Sequence, residues 1–494
     1  MSGQPSNSTV GALPEPVTTP SPVPAALTRL AWALFAASIV ALVARVRADG
    51  VWAVDGVVAV DGLTVLLWTV VAFFSGIVHS YSRRYVAGSA HETKFFVGTF
   101  GFTLVVMGLV AADHVALFAA LWLAMGLVMA ELIGTVDGWK QARAAASVAR
   151  RYFLASSALL AGALTLLWLT TGETTVSGIA AAADGLSGPL WLAAAVALVL
   201  AAMIQSALVP FHGWLLSSMT APTPASALMH AGFVNGGGIL LTRFAPVVTA
   251  DAGLMLAVAA VGATSALVGK LIKTVQADVK GELGCSTVGQ MGFMIMQAGL
   301  GFFGAAVTHL ILHGFYKAYH FLSAGERIAR RSPTADEPEG ATVVGVAVVA
   351  LSGLAGGALF AVLTGKGTSA DSGLLLAVFV TLTTLHAARS VVARASLPAP
   401  ARYGAIPLVA LPAIAVYALV YEAVVGVMSD LPVVAAPTEL SAVHGLVAAV
   451  FVAVYAAMEA GVHERSRRLY VALVNAGRPA PNTVVTATEE YDER

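Results

Sequence analysis

A dense row of basic side chains occupies the segment HLILHGFYKAYHFL, residues 309 to 322. On an α-helix each residue turns about 100°, so His309, His313 and Lys317 follow one another along one face, with His320 and Tyr316 beside them. The row is roughly 16 Å long, about half the thickness of a bilayer core. Histidine exchanges protons near neutral pH, and lysine carries a proton as its ammonium group. The pattern predicts a proton path; the alternative is a set of hydrogen bonds that only holds helices together.

A second polar group lies in MIQSALVPFHGWLLSSMTAPTPASALMHAGFVNGGG, residues 203 to 238. Pro210 cannot continue a helical hydrogen-bond ladder, so we predict a helix break there with His212 at the break. His230 lies about two turns into the helix that should begin near APTPAS. Asn235 and the glycines after it allow close helix packing or local unwinding. For His212 a packing role is as well supported as a role in proton transfer, whereas the pattern favours proton transfer for His230.

Glu131 is an acidic residue well inside the fourth apolar segment, LWLAMGLVMAELIG. An ionisable group at this depth commonly serves transport, but near a membrane surface it can also reach water. Both readings stay open for Glu131. We predict no catalytic and no metal-binding residues. The predicted proton path comprises Lys317, His309, His313, His320, His230, His212 and Glu131.

The elements that carry these residues must be membrane helices. Of the 494 residues, 58% are hydrophobic and 11% are charged, whereas soluble proteins carry roughly 25% charged residues. Apolar runs of about 20 residues recur along the chain, and this is the length that crosses a bilayer. The net charge of zero gives no reason to expect a nucleic-acid partner, and the single cysteine, Cys285, excludes a disulfide within the chain. The predicted fold is an all-α polytopic membrane protein with about 13–14 transmembrane helices.

Positive charge is concentrated in alternate loops, for example at Arg83 and Arg84, at Arg150 and Arg151, and at Lys270 and Lys273. The positive-inside rule therefore predicts a multi-pass protein with both termini in the cytoplasm. The predicted spans are 25–47, 61–82, 93–112, 114–135, 147–171, 188–209, 223–249, 252–273, 279–299, 303–328, 341–364, 372–394, 404–429 and 441–462.

The chain is predicted to have one transmembrane domain, residues 25–462, between two polar ends. Residues 1–24 are rich in Pro, Ser and Thr and are predicted to be a disordered tail. Residues 463–494 are predicted to form a cytoplasmic segment and a tail.

Two stretches, LVPFHGWLLSSMTAPTPASALMHAG and DVKGELGCSTVGQMGFMIMQAGLG with the following histidine row, resemble the proton-translocating subunits of complex I and of Mrp antiporters. The resemblance implies two inverted five-helix repeats, each with a broken helix and a central lysine. This chain departs from the family pattern in its first half. Leu123 follows Trp122 where the family has glutamate, and Gln205 stands where the family has lysine. The second half lacks a family proline, and Lys366 falls in a loop-like setting.

The stretches HAGFVNGGGILL, FYKAYHFLSAGE and RLYVALVNAG resemble the DabB-type membrane subunits of bacterial inorganic-carbon transporters. The resemblance implies a transport subunit, not an enzyme. It would conduct a cation, a proton by preference over sodium, to energise CO2 or bicarbonate uptake. A large DabA-type partner would carry zinc, this chain would hold no cofactor, and a dimer of heterodimers is one possible assembly. The alternatives are a subunit of a respiratory, hydrogenase or Mrp-type complex, and an assembly scaffold without an ion path.

Overall fold

The computed structural model describes residues 21–48, 50–327, 343–392, 398–459 and 461–484. The first part of this region is almost entirely helical. One short antiparallel hairpin, β1 (Trp52–Val54) and β2 (Val58–Val60), follows the first helix. The helices of this part are α1 (Val23–Arg47), α2 (Gly62–Tyr85), α3 (Glu92–Ala111), α4 (Val115–Ile133), α5 (Lys140–Thr171), α6 (Val176–Ala181) and α7 (Gly188–Gln205).

The middle of the chain contains short helices followed by three long ones. Its helices are α8 (Gly213–Ser217), α9 (Thr223–Ala231), α10 (Gly236–Arg243), α11 (Ala245–Thr249), α12 (Ala252–Lys273), α13 (Val279–Gly299) and α14 (Phe303–Leu322). The last part contains α15 (Val343–Thr364), α16 (Gly373–Val392), α17 (Ala399–Val427), α18 (Ala442–Glu459), α19 (Val462–Arg465) and α20 (Arg467–Ala476).

Nine helices within the described ranges are long and apolar enough to cross a membrane, and α16 and α18 contain shorter apolar stretches. Helix α14 is not among the nine, because its histidines and lysine lower its hydropathy. A helix or a broken helix nevertheless lies at each predicted span. The prediction of an all-α polytopic membrane protein is confirmed; the inverted repeat remains a prediction.

The predicted broken helix is present, between α9 and α10. Helix α9 ends at Ala231, the chain forms a tight 3₁₀ turn over Phe233–Asn235, and α10 begins at Gly236. The absence of a side chain at Gly237 allows α10 to lie against the backbone of Ala202 in α7. Of the two possibilities expected of the glycines after Asn235, close packing is observed for Gly237, and the local unwinding lies just before them, over Phe233–Asn235.

A helix break is present around Pro210, as predicted, although the helix ends before the proline. Helix α7 ends at Gln205, Pro210 lies in the non-helical connection to α8, and the chain turns through Ala207, whose φ of 53° is left-handed. A left-handed residue ends an α-helical ladder, so the helix stops before the proline is reached. The Ile204 carbonyl at the helix end accepts hydrogen bonds from the Ala207 N–H at 3.1 Å and from the indole N–H of Trp214 at 2.9 Å.

Both chain ends reach beyond the described residues. Residues 1–20 of the predicted N-terminal tail lie outside them, and α1 begins at Val23, within the predicted tail boundary. At the other end, α20 packs through Leu473 against Ile272 of α12 and Leu216 of α8. Residues 485–494 lie outside the described part.

Candidate functional site

Lys317 is completely buried inside the helical bundle. Its Nζ donates a hydrogen bond of 2.7 Å to the main-chain carbonyl of Leu283 in α13. A buried ammonium group is costly unless it is paired, and one neutral carbonyl replaces little of its lost hydration. Such a group persists in a membrane bundle where it serves a function.

The same Leu283 carbonyl connects Lys317 to His230. It also accepts a hydrogen bond from the Thr287 hydroxyl at 2.9 Å, and Thr287 Oγ1 lies 2.9 Å from His230 Nδ1. Since the hydroxyl proton is directed at Leu283, His230 Nδ1 must donate to Thr287. His230 Nε2 is then the nitrogen left without a partner among the described atoms. His230 is fully buried and its ring stacks on Phe321.

His313 lies one turn before Lys317 on α14 and is 5% exposed. Neither of its ring nitrogens has a hydrogen-bond partner in the described part of the chain. Its ring centroid is 6.1 Å from that of His309. A buried imidazole with both nitrogens free has capacity to take up and release a proton, or to bind a water molecule.

His309 continues this row towards the opposite end of α14. Its Nδ1 lies 3.1 Å from Gln297 Oε1, so this nitrogen carries the proton and donates it to the amide oxygen. Gln297 is 3% exposed, and its side chain is joined by a hydrogen bond to that of Tyr417 on α17. The polar groups therefore extend beyond the four basic residues into α13 and α17.

Lys366 lies in the connection between α15 and α16, outside the helices. Its Nζ lies 4.5 Å from the ring centre of Tyr421 and 5.0 Å from that of Phe302. Burial lowers the pKa of Lys366, although the carboxylates of Glu422 and Asp371 act in the opposite direction. This places a partly buried cation near the end of α17, the helix that also carries Tyr417.

His320 departs from the predicted inward-facing row. Its ring packs against Tyr316 at 4.1 Å and Tyr319 at 5.3 Å, and these two tyrosines are 50% and 68% exposed. The five residues share a broad helical face, but only one side of that face is covered by other helices. His320 therefore lies at the edge, apart from Lys317 and His313.

His212 is also separated from the buried row. Its Nε2 lies 3.0 Å from the carbonyl of Ala476, at the end of α20. The contact attaches the C-terminal segment to the turn before α8. The placement fits a packing role, which was one of the two interpretations of this residue.

Glu131 does not replace the missing first-half carboxylate inside the bundle. It forms an ion pair with Arg150 of α5, and the two side chains are 58% and 46% exposed. Of the two interpretations of Glu131, the structure agrees with a carboxylate that faces outward.

Replacing Glu131 with Gln should therefore leave transport unchanged. It should change the free energy of unfolding by less than about 1 kcal/mol, because exposed ion pairs contribute little. Chemical denaturation of the purified variant measures the second effect. A loss clearly larger than about 1 kcal/mol, or a loss of transport, would contradict this placement.

Neutral polar groups occupy the first-half region where the family has charges. Gln205 is 1% exposed, and its Nε2 has no partner among the described residues. Trp122 Nε1 donates to Ser156 Oγ at 3.2 Å, and Ser156 donates to the carbonyl of Ala201 at 3.0 Å. The described first half thus lacks a buried lysine–glutamate relay at these positions.

Thr287 and Gln297, which contact His230 and His309, were missed by the sequence interpretation. Both are polar residues of α13, which also carries Lys280, Glu282, Ser286 and Gln290. A polar residue in the middle of a membrane helix can indicate a contact with a basic side chain on a neighbouring helix. The sequence alone does not show which helix α13 faces, so this contact could not be predicted.

Known proteins match this chain in sequence over part of its length. Residues 112–339 match the family model of the NADH:quinone oxidoreductase/Mrp antiporter transmembrane region. The probable inorganic carbon transporter subunit DabB1 of Halothiobacillus neapolitanus is 39% identical over 273 residues, 54% of this chain and 49% of the relative. A DabB subunit of Bacillus anthracis is 36% identical over 59% of this chain and 58% of the relative. This chain matches the DabB subunits within the antiporter-like family. The predicted family resemblance is confirmed.

The chain spans about half the length of the curated relatives it matches. The DabB likeness is accompanied by a match to NADH-quinone oxidoreductase subunit L of Mycobacterium tuberculosis, 34% identical over 55% of this chain and 43% of the relative.

Solved structures show the same fold at low sequence identity. A chain of the Mrp complex from Dietzia aligns over 93% of this chain and 49% of its own length, with a TM-score of 0.56 and 22% identity. A chain of respiratory complex I from Thermus thermophilus aligns over 92% of this chain and 98% of its own length, with a TM-score of 0.52 and 19% identity.

Proposed function

We propose that this chain is the cation-conducting membrane subunit of an inorganic-carbon transporter. A proton would move along His309, His313, Lys317 and His230. Its movement would energise CO2 or bicarbonate uptake by a DabA-type partner that carries zinc. The proposed arrangement has a membrane domain at residues 25–462 and cytoplasmic termini in the bacterial inner membrane.

The observation that carries the proposal is the burial of Lys317 next to three imidazoles with free or exchangeable nitrogens. Lys317, His313 and His230 are buried and His309 is half-buried. Such a group of basic side chains is unfavourable for folding alone, because each charged form loses hydration. Lys317, Thr287 and His230 form one hydrogen-bonded cluster around the Leu283 carbonyl, which accepts from both Lys317 Nζ and the Thr287 hydroxyl. Because a main-chain carbonyl has no exchangeable proton, the proposal requires a water molecule to pass the proton between Lys317 and His230. Coupling requires that the moving charge favours one state of the partner over another.

The choice of inorganic carbon is supported by the relatives named as inorganic-carbon transporter DabB subunits, which are 33% to 39% identical to this chain. Within the described residues, no group of three or more His, Cys, Asp or Glu side chains is placed to hold a metal ion. The proposal assigns zinc and CO2 chemistry to the partner because the resemblance to DabB subunits implies a zinc-bearing DabA-type partner. One conducted charge would contribute about 2.3 kcal/mol per 100 mV of membrane potential.

The second candidate is a proton-translocating subunit of a respiratory, hydrogenase or Mrp-type complex. The 34% identity to an NADH-quinone oxidoreductase subunit favours it. The neutral Gln205, together with Leu123 in place of a glutamate, weakens it, because the first-half relay of those pumps needs ionisable groups.

Growth of a bacterium that lacks carbonic anhydrase tests the proposed function. The chain expressed together with its DabA-type partner should restore growth in ordinary air, and either protein alone should not. Growth in air enriched with CO2 is the control for viability. Rescue by the partner alone would contradict the proposed role of this chain, and proton-coupled quinone reduction in a purified respiratory assembly would favour the second candidate.

A further inference from the structure

A cavity of about 310 Å³ lies at one end of the bundle, apart from the buried basic row. It is lined by Tyr85 at the end of α2, Thr135 and Trp139 between α4 and α5, Thr220 before α9, and Lys280 at the start of α13. This volume accommodates several water molecules, since each takes about 30 Å³ in the liquid.

The cavity wall next to α9 and α13 is polar. Lys280 Nζ donates to the carbonyls of Ala221 at 2.8 Å and Met219 at 3.3 Å, which fixes the turn before α9. The hydroxyl of Thr220, in the same turn, has no hydrogen-bond partner among the described atoms. Hydroxyl and carbonyl groups of this kind are the usual partners of water in a polar cavity.

Helix α13 leads from this cavity to the basic row. Lys280 lies at the cavity, Leu283 accepts the hydrogen bond from Lys317, and Thr287 contacts His230. At 1.5 Å per residue, the Lys317 contact lies about 5 Å and the His230 contact about 10 Å farther along the helix. Lys280 and Thr287 are seven residues apart and therefore share one helical face.

The cavity lies at the end of the bundle that is predicted to face the cytoplasm. The connections around it follow α2 and α4 and precede α13, and each belongs to the group of loops rich in Lys and Arg. The positive charge of these loops therefore indicates that the cavity opens on the cytoplasmic side of the membrane.

We propose that this cavity is the cytoplasmic mouth of the ion path, where water delivers protons to His230 and Lys317. The inference rests on the proposed cation-conducting function and adds its point of access. It identifies the turn at residues 219–222, and not the region of His212 or His320, as the place where solvent approaches the buried groups.

Cysteine accessibility tests the inference, because the single native cysteine, Cys285, is fully buried. The probe is a membrane-impermeant cationic thiol reagent applied to sealed vesicles of known orientation. Thr220→Cys should be labelled from the cytoplasmic side only, and labelling should reduce cation flux at least about tenfold because it fills the cavity. Val136→Cys, at another wall of the cavity, provides a second variant should Thr220→Cys fail to fold.

Thr249→Cys is the matched control, since Thr249 is also half-buried and ends α11 at the other end of the α9–α11 segment. Cytoplasmic reagent should not label it. The inference is overturned if the cavity cysteines resist cytoplasmic labelling, or if they are labelled without a change in flux. Absence of flux in the unlabelled parent protein is a distinct result, since it rejects the proposed function itself and the mouth with it.

Discussion

Replacing Lys317 with Met should reduce cation flux at least about 100-fold, the usual contribution of a positioned group that transfers a proton. The variant should also fail to restore growth in ordinary air. The methionine side chain fills nearly the same volume as the aliphatic part of lysine, so the fold should survive. The variant lacks the buried amino group that follows His313 by one turn on α14 and contacts the Leu283 carbonyl on α13. A proton from His313 then has no basic carrier on the way to His230. Flux into proteoliposomes under an imposed pH gradient measures the effect directly.

The matched control is Lys94→Met. Lys94 is 48% exposed and pairs with Asp137 at the surface, at 3.1 Å. Its removal changes the charge by the same amount and should leave flux near the parent value. Co-purification with the DabA-type partner shows whether each variant assembles. If Lys317→Met assembles and retains flux, Lys317 is a structural lysine and the proposed path is wrong.

The sequence was sufficient to predict the membrane helices and the inward position of Lys317 and His313. The length of an apolar segment and its helical periodicity are local properties of the sequence, so they can be recognised without knowledge of the fold. The edge position of His320 was not predictable, because it depends on which neighbours cover α14. The structure places α9, α10 and α13 against one side of that helix and leaves Tyr316 and Tyr319 on the other.

The contacts of Glu131 and His212 could not be predicted from the sequence either. A carboxylate in an apolar segment has the same local pattern whether it faces the bundle or the surface, and only the position of Arg150 on α5 decides. His212 contacts Ala476, which lies more than 250 residues later in the chain. Such contacts follow from tertiary packing, and helical periodicity in the sequence contains no information about it.

The broken helix shows how local signals and packing combine. Glycine and proline correctly indicated irregular backbone between residues 203 and 238, but not where each helix ends. The ends are fixed by particular partners: Ser206 Oγ donates to Val234 at 2.6 Å, and Asn235 Nδ2 donates to Ala231 at 2.7 Å. The glycine-rich start of α10 is thereby held beside α7.

Replacing Arg243 with Met should destabilise the protein by about 3–5 kcal/mol, the usual cost of leaving a buried charge without its partner. Arg243 ends α10 and pairs with Asp61, and the two side chains are only 10% and 12% exposed. Its Nη2 also donates to Thr64 Oγ1 at 2.7 Å and to the Val110 carbonyl at 2.6 Å. These contacts attach the second half of the broken helix to α2 and α3. Equilibrium unfolding of the purified protein in mixed micelles measures the loss.

Two further variants separate the buried charge from simple loss of contacts. Arg243→Met combined with Asp61→Asn removes the unpaired carboxylate but keeps an N-cap for α2, so it should be more stable than Arg243→Met alone. Arg150→Met breaks the exposed pair with Glu131 and should cost less than about 1 kcal/mol. If Arg243→Met costs no more than Arg150→Met, the Asp61–Arg243 pair does not hold the broken helix in place. The position of α10 would then depend on its glycine contacts with α7, since those contacts remain unchanged in every one of these variants.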